Sequence, residues 1–176
     1  IAINALKYGA DSITIHLRED RRHINDNDVK LISSIKSIPL NLEIASNTEM
    51  LKIAIRYKPD FICIVPEKRN EVTTEGGLNL KKNKNKLKST IRILNKKNIR
   101  TSLFINPTKV DVKISKLLNA KCIELHTGKI SNQIKQNKRF NVEFEKIKSC
   151  AKYAKSLGLE VHAGHGMDYK TAKVLS

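Results

Sequence analysis

Four stretches carry ionisable side chains in comparable places. "SITIHLREDRRHI" (residues 12–24) opens on an alternating run, Ser12 to Leu17, that includes His16. It then releases Arg18, Glu19, Asp20, Arg21, Arg22 and His23 with no Gly or Pro turn between. "LNLEIA" (40–45) carries Glu43, "KCIELHTG" (121–128) carries Glu124 and His126, and "VHAGHG" (161–166) carries His162 and His165. Imidazoles and carboxylates held together acquire shifted proton affinities and act as general acids and bases near neutral pH. His and Glu clusters also bind zinc or another divalent ion. Residue types alone leave both chemistries open.

Taken singly, each group has a plainer reading. His16 at a strand end is a hydrogen-bonded structural histidine. Glu43 is a buried ion-pair partner. Arg21 and Arg22 are solvated, and His126 and His162 are satisfied interior polar groups. The convergence of these groups is what points to a site, and convergence depends on the elements that carry them.

Those elements alternate. Strands are expected at 12–17, 40–45, 61–65, 100–105, 122–126 and 159–163. Helices are expected at 25–35, 47–57, 82–97, 109–118 and 141–157, with a short one from about Asp168. Asn25 or Asp26, and Asn47 or Thr48, can cap the first two of these helices. Pro59 and Gly158 stop two of them. Long loops are expected at 66–80 and between 126 and 141. Strict alternation implies parallel strands with helical crossovers. No Gly-rich turn follows the first strand, which disfavours a dinucleotide-binding sheet. The expected fold is an α/β chain, a (β/α)₈ TIM barrel represented by about six βα units, strands 2 to 7 of eight.

Strand parity then gathers the chemistry. Ile13 and Ile15 take the helix-facing parity, while Ser12, Thr14 and His16 face the barrel interior. Leu40, Leu42 and Ile44 oppose Asn41 and Glu43. Ile123 and Leu125 oppose Cys122, Glu124 and His126. Barrel sites sit at the carboxyl ends of the strands, so the charge after Leu17 reads as the rim of a site.

The bulk properties bound this reading. One domain, residues 1–176, is expected from the length. Hydrophobic residues make up 40% and charged residues 29%, a globular balance. The net charge of +17 invites a nucleic-acid partner. However, its excess is lysine scattered through helices, and aromatics for base stacking are only 5%. A solvated basic surface, with no nucleic-acid partner, is the expectation. No apolar run is long enough to cross a bilayer. Cys63, Cys122 and Cys150 lie far apart in apolar contexts and read as reduced core residues of a cytoplasmic protein. The chain opens and closes inside helix-like stretches, and a barrel truncated at both ends is expected.

The motifs together resemble one family. "GADSITIHLREDRRHI", "LNLEIA", "VPEKRNEVTTEGGL", "SLFINP", "IELHTG" and "SLGLEVHAGHG" are similar, in order and along essentially the whole chain, to the pyridoxine 5′-phosphate synthases. The resemblance implies a barrel enzyme that joins 1-deoxy-D-xylulose 5-phosphate to 3-amino-2-oxopropyl phosphate, giving pyridoxine 5′-phosphate, phosphate and water. It implies no metal and no organic cofactor. By resemblance His16 and Glu43 are proton acceptors, His165 is a proton donor, and Glu124 assists the transition state. Arg18, His23 and Thr73 contact the pentulose phosphate, and Gly166 contacts the amino-ketone phosphate. A guanidinium fork suits phosphate, and glycine lets backbone come close. The 66–80 loop, with its Gly76–Gly77 pair, matches a lid. The family's first-strand Asn, Asp, His and Arg set is expected before Ile1, and its last-strand Gly pair beyond Ser176. The family also implies a homo-oligomer, an octamer at full length. The alternative is a barrel fragment that binds phosphorylated ligands without turnover. A weaker third reading is a metal-dependent lyase using His16, His162 or His165, which metal analysis would separate from the first.

Overall fold

The computed structural model describes residues 1–67 and 76–176. Six parallel strands lie in chain order: β1 (Ile13–His16), β2 (Leu40–Ile44), β3 (Phe61–Ile64), β4 (Arg100–Ile105), β5 (Cys122–His126) and β6 (Glu160–Gly164). Helices α1 (Ala2–Lys7), α2 (Asp26–Ser34), α3 (Thr48–Tyr57), α4 (Lys84–Lys96), α5 (Lys109–Leu117), α6 (Gly128–Lys135), α7 (Asn141–Ser156) and α8 (Tyr169–Leu175) precede, connect and follow them.

Local chemistry explains the helix starts. Asn25 accepts from the backbone N–H groups of Asn27 and Asp28, while Asp28 accepts from that of Asn25, a complete capping box. Asn47 caps α3 through Met50 N–H at 2.8 Å, Thr108 caps α5 through Asp111 N–H, and Asp168 caps α8 through Thr171 N–H. Lys58, in the left-handed region at φ 46°, ends α3 just before Pro59.

One expectation needs correction. Residues 127–140 are not a continuous loop, because they contain α6. Gly128 and a run of Ser, Asn and Gln conceal it. Ile130 and Ile134, one turn apart, are both buried and hold it against the body of the protein.

The helix-facing parity builds the main core: Leu40, Leu42, Ile44, Ile62, Ile64, Leu103, Ile105, Ile123 and Leu125 lie under Met50, Ala54, Leu87, Ile91 and Leu94. The opposite face is polar and concave. A cavity of about 670 Å³ is lined by Thr14 of β1 and His162 of β6, the two ends of the sheet. A flat six-stranded sheet could not bring its ends to one cavity. The sheet therefore curls into a half-barrel, with the helices outside and the interior parity facing the hollow.

Candidate active site

Register brings the interior residues together. His16 pairs with Glu43, Glu43 with Cys63, Phe104 with Glu124, and Glu124 with His162. A second cavity, of about 360 Å³, opens at the carboxyl ends of the strands. It is lined by His16, Arg18, Glu43, Glu124, His165, Val65, Pro66, Gly76 and Phe104. It shares Glu43, Glu124 and His165 with the larger hollow below. The four residues expected to do acid–base work thus border one space, with Arg18 on its rim.

His16 stands between two carboxylates. Its Nδ1 is 3.8 Å from Glu43 Oε2 and its Nε2 is 3.1 Å from Glu67 Oε1. Deeper in, ligand-type atoms of Glu43, Cys63 and Glu124 lie within 4.8 Å of one another. The Cys63 thiol donates to Glu124 Oε2 at 3.6 Å. Burial raises the pKa of Glu43, and the charge of Glu124 raises it further, while His16 pulls it down. Burial likewise raises Glu124, against the Cys63 hydrogen bond and the charge of His162. Burial pushes the Cys63 thiol well up, and both carboxylates add to that. This trio is the metal-type cluster among the described residues.

Glu124 owes its position to β6. A Cβ on Gly164 would fall 2.1 Å from Glu124 Oε1, so only glycine leaves room for the carboxylate. His165 sits beyond, in the left-handed region at φ 81°. Its ring stacks on His126 at 4.7 Å, and Phe104 packs against both rings. Thr127 holds this turn, its hydroxyl 2.6 Å from Gly164 O and 2.8 Å from His165 O. Gly166, at φ 71°, offers its carbonyl to Lys135 Nζ at 2.8 Å.

The rim is more ordered than a solvated loop. Arg18 forks onto Asp20 through Nε at 3.1 Å and Nη2 at 3.2 Å. That bond is the main reason the Asp20 carboxyl falls to about 2. Arg21 is only partly solvated. At φ 53° it reaches Asp26, Glu49 and the carbonyls of Arg18 and Glu19, and so braces the turn. His23 is exposed and does not line either cavity. Thr73 lies outside the described residues. His162 bonds to Glu160 at 2.8 Å, toward the amino ends, where Glu160 also pairs with Arg100. The structure therefore does not group His162 with His16.

Sequence reading missed Cys63 and Glu67. Cys63 lies on the interior parity beside Glu43 in register, and that parity was the available signal. Glu67 lies in a loop, and no periodicity foretold its reach.

Comparison with known proteins follows the same line. The model of the family described as "Pyridoxal phosphate biosynthesis protein PdxJ" matches residues 1–176. A pyridoxine 5′-phosphate synthase of Pelagibacter ubique (strain HTCC1062) is 62% identical over 176 residues, 100% of this chain and 74% of that protein. One from Prochlorococcus marinus (strain MIT 9515) is 49% identical over 168 residues, 96% of this chain and 70% of that protein. Among solved structures, a D-psicose 3-epimerase from Clostridium cellulolyticum H10 aligns with a TM-score of 0.57 at 12% identity, covering 93% of this chain and 66% of that one. At that identity the likeness concerns the fold alone. With a family match along its whole length and relatives this similar, the chain belongs to the pyridoxine 5′-phosphate synthase (PdxJ) family, enzymes of vitamin B6 biosynthesis.

Proposed function

We propose that the chain condenses 1-deoxy-D-xylulose 5-phosphate with 3-amino-2-oxopropyl phosphate to form pyridoxine 5′-phosphate, releasing phosphate and water. The observation that carries this reading is the ring of His16, Glu43, Glu124 and His165 around one cavity with a guanidinium at its mouth. Ring formation from an amine and a ketone moves protons on and off carbon and oxygen several times. That demands several acid–base groups in reach of one substrate pair.

In this reading His16 and Glu43 accept protons and His165 donates one. Glu124, kept protonated more readily by burial, stabilises developing charge. Arg18 and His23, with Thr73, hold the pentulose phosphate. The turn at Gly166 meets the amino-ketone phosphate. The reading needs neither metal nor organic cofactor. Three buried free cysteines support a reducing, cytoplasmic setting. None of the described helices is long and apolar enough to cross a membrane. Homo-oligomeric assembly belongs to the same reading, and sedimentation of the purified protein tests it.

The direct test supplies both phosphates to purified protein and follows pyridoxine 5′-phosphate by mass spectrometry alongside released phosphate. Matched appearance of the two products, abolished in His16→Ala, is expected. A folded protein that releases no pyridoxine 5′-phosphate would remove the proposal.

A further inference from the structure

We infer that Glu67 is a positioning residue that fixes the tautomer of His16, so that Nδ1 is the proton-accepting nitrogen. The inference rests on the reading of His16 as a base. Glu67 follows β3 by three residues and is 51 positions from His16, yet its side chain is only 5% exposed. Its two oxygens have separate duties. Oε2 accepts the backbone N–H of Glu19 at 2.8 Å, which ties the carboxylate to the turn after β1. Oε1 faces His16 Nε2 at 3.1 Å.

An ionised carboxylate only accepts hydrogen bonds, so the nitrogen facing it must carry the proton. Neutral His16 is therefore the Nε2–H tautomer. Its lone pair sits on Nδ1, on the side of Glu43 Oε2, 3.8 Å away. Both His16 and Glu43 line the cavity at the strand ends. A proton taken by Nδ1 thus arrives beside a carboxylate whose own proton affinity burial has raised. The two proton acceptors face each other at 3.8 Å, with His16 oriented from behind by a third carboxylate. A second partner that fixes which imidazole nitrogen is basic is a general device in acid–base sites.

Glu67→Gln makes the inference testable, because the amide has the same shape but a fixed polarity. The Glu19 N–H needs an acceptor, so the amide oxygen takes that place and the NH₂ group turns to His16 Nε2. That nitrogen must then accept, and the proton moves to Nδ1. Long-range ¹H–¹⁵N correlation spectra of histidine-labelled protein read the tautomer directly. The native protein is expected to show His16 as Nε2–H and Glu67→Gln as Nδ1–H. Turnover is expected to fall about 100-fold or more, the scale of a lost general base, with little change in either KM. A merely structural role would not invert the tautomer. An Nδ1–H signal in the native protein, or an unchanged tautomer in the folded variant, would overturn the inference. Because the spectra need no turnover, they decide it even if the native protein makes no pyridoxine 5′-phosphate. If it does, near-native turnover in Glu67→Gln overturns the inference while leaving the proposed function standing.

Discussion

Glu43 carries opposite consequences for chemistry and for stability. Glutamine keeps its shape but cannot accept a proton, so Glu43→Gln is expected to lower kcat by about 100-fold or more. Near-native turnover would remove Glu43 from the chemistry. Stability should move the other way. Burial raises the carboxyl pKa in the fold above its unfolded value of about 4.3. The resulting contribution is whole below that unfolded value and is lost as pH rises through the folded one. Glutamine has nothing to lose, so the variant should gain stability relative to the native chain as pH rises from about 4 to about 7. Urea denaturation across that range checks the sign, and a gap that narrows with pH would contradict it. Arg18→Lys probes the rim. Lysine keeps the charge but not the planar fork that now grips Asp20. The expected defect is a raised KM for the pentulose phosphate, and a change confined to the amino-ketone phosphate would contradict the assignment. At this scale His16, Glu43 and Glu124 were legible because charge on an interior parity is conspicuous, and His165 because it stands in the turn that follows the last strand. Cys63 was not, because cysteine is ordinarily buried and its identity signals nothing. Glu67 and Arg21 act through loop conformation, which leaves no periodic trace.

Elements were legible where their ends carry specific chemistry. Asn25 before α2, Asn47 before α3, and Gly158 after α7 were visible as residue types, and the structure uses each of them. Helix α6 starts without a side-chain cap and opens on glycine, so only its buried Ile130–Ile134 pair marked it. Loss of the α2 cap in Asn25→Ala is expected to cost about 1 kcal/mol. Denaturant melts of the two proteins would show it, and an unchanged midpoint would mean that water replaces the cap. Between β5 and β6 a single missing side chain sets the site. In Gly164→Ala the added carbon occupies the place of Glu124 Oε1, and the flexible carboxylate must swing away from Cys63. The fold should survive, since no backbone is displaced, while turnover falls. Wild-type turnover in a folded Gly164→Ala protein would show that the observed Glu124 position is not the working one.

At the scale of the molecule, parallel strands follow from alternation, and the missing Gly-rich turn after the first strand favours the barrel over an open dinucleotide-binding sheet. The half-barrel's edges are the first and last of the six expected strands. Among the described residues β1 and β6 each pair on one side only, which leaves a row of backbone donors and acceptors open along Ile13–His16 and Glu160–Gly164. Open parallel edges recruit further strands, from the same chain or from another copy. Against this stands a net charge of +17 on 176 residues. At low ionic strength, on the order of 0.01 M, the Debye length is about 30 Å and like-charged copies repel across their whole approach. At about 1 M salt it shrinks to about 3 Å, while the edge hydrogen bonds and the apolar contacts beside them are not screened in the same way. The 176-residue polypeptide expressed by itself is therefore expected to associate more as salt is added. Sedimentation velocity at the two salt concentrations measures this directly. A distribution that stays monomeric at high salt would mean that the edges are protected. Dissociation on adding salt would mean that the copies are held by ion pairs instead.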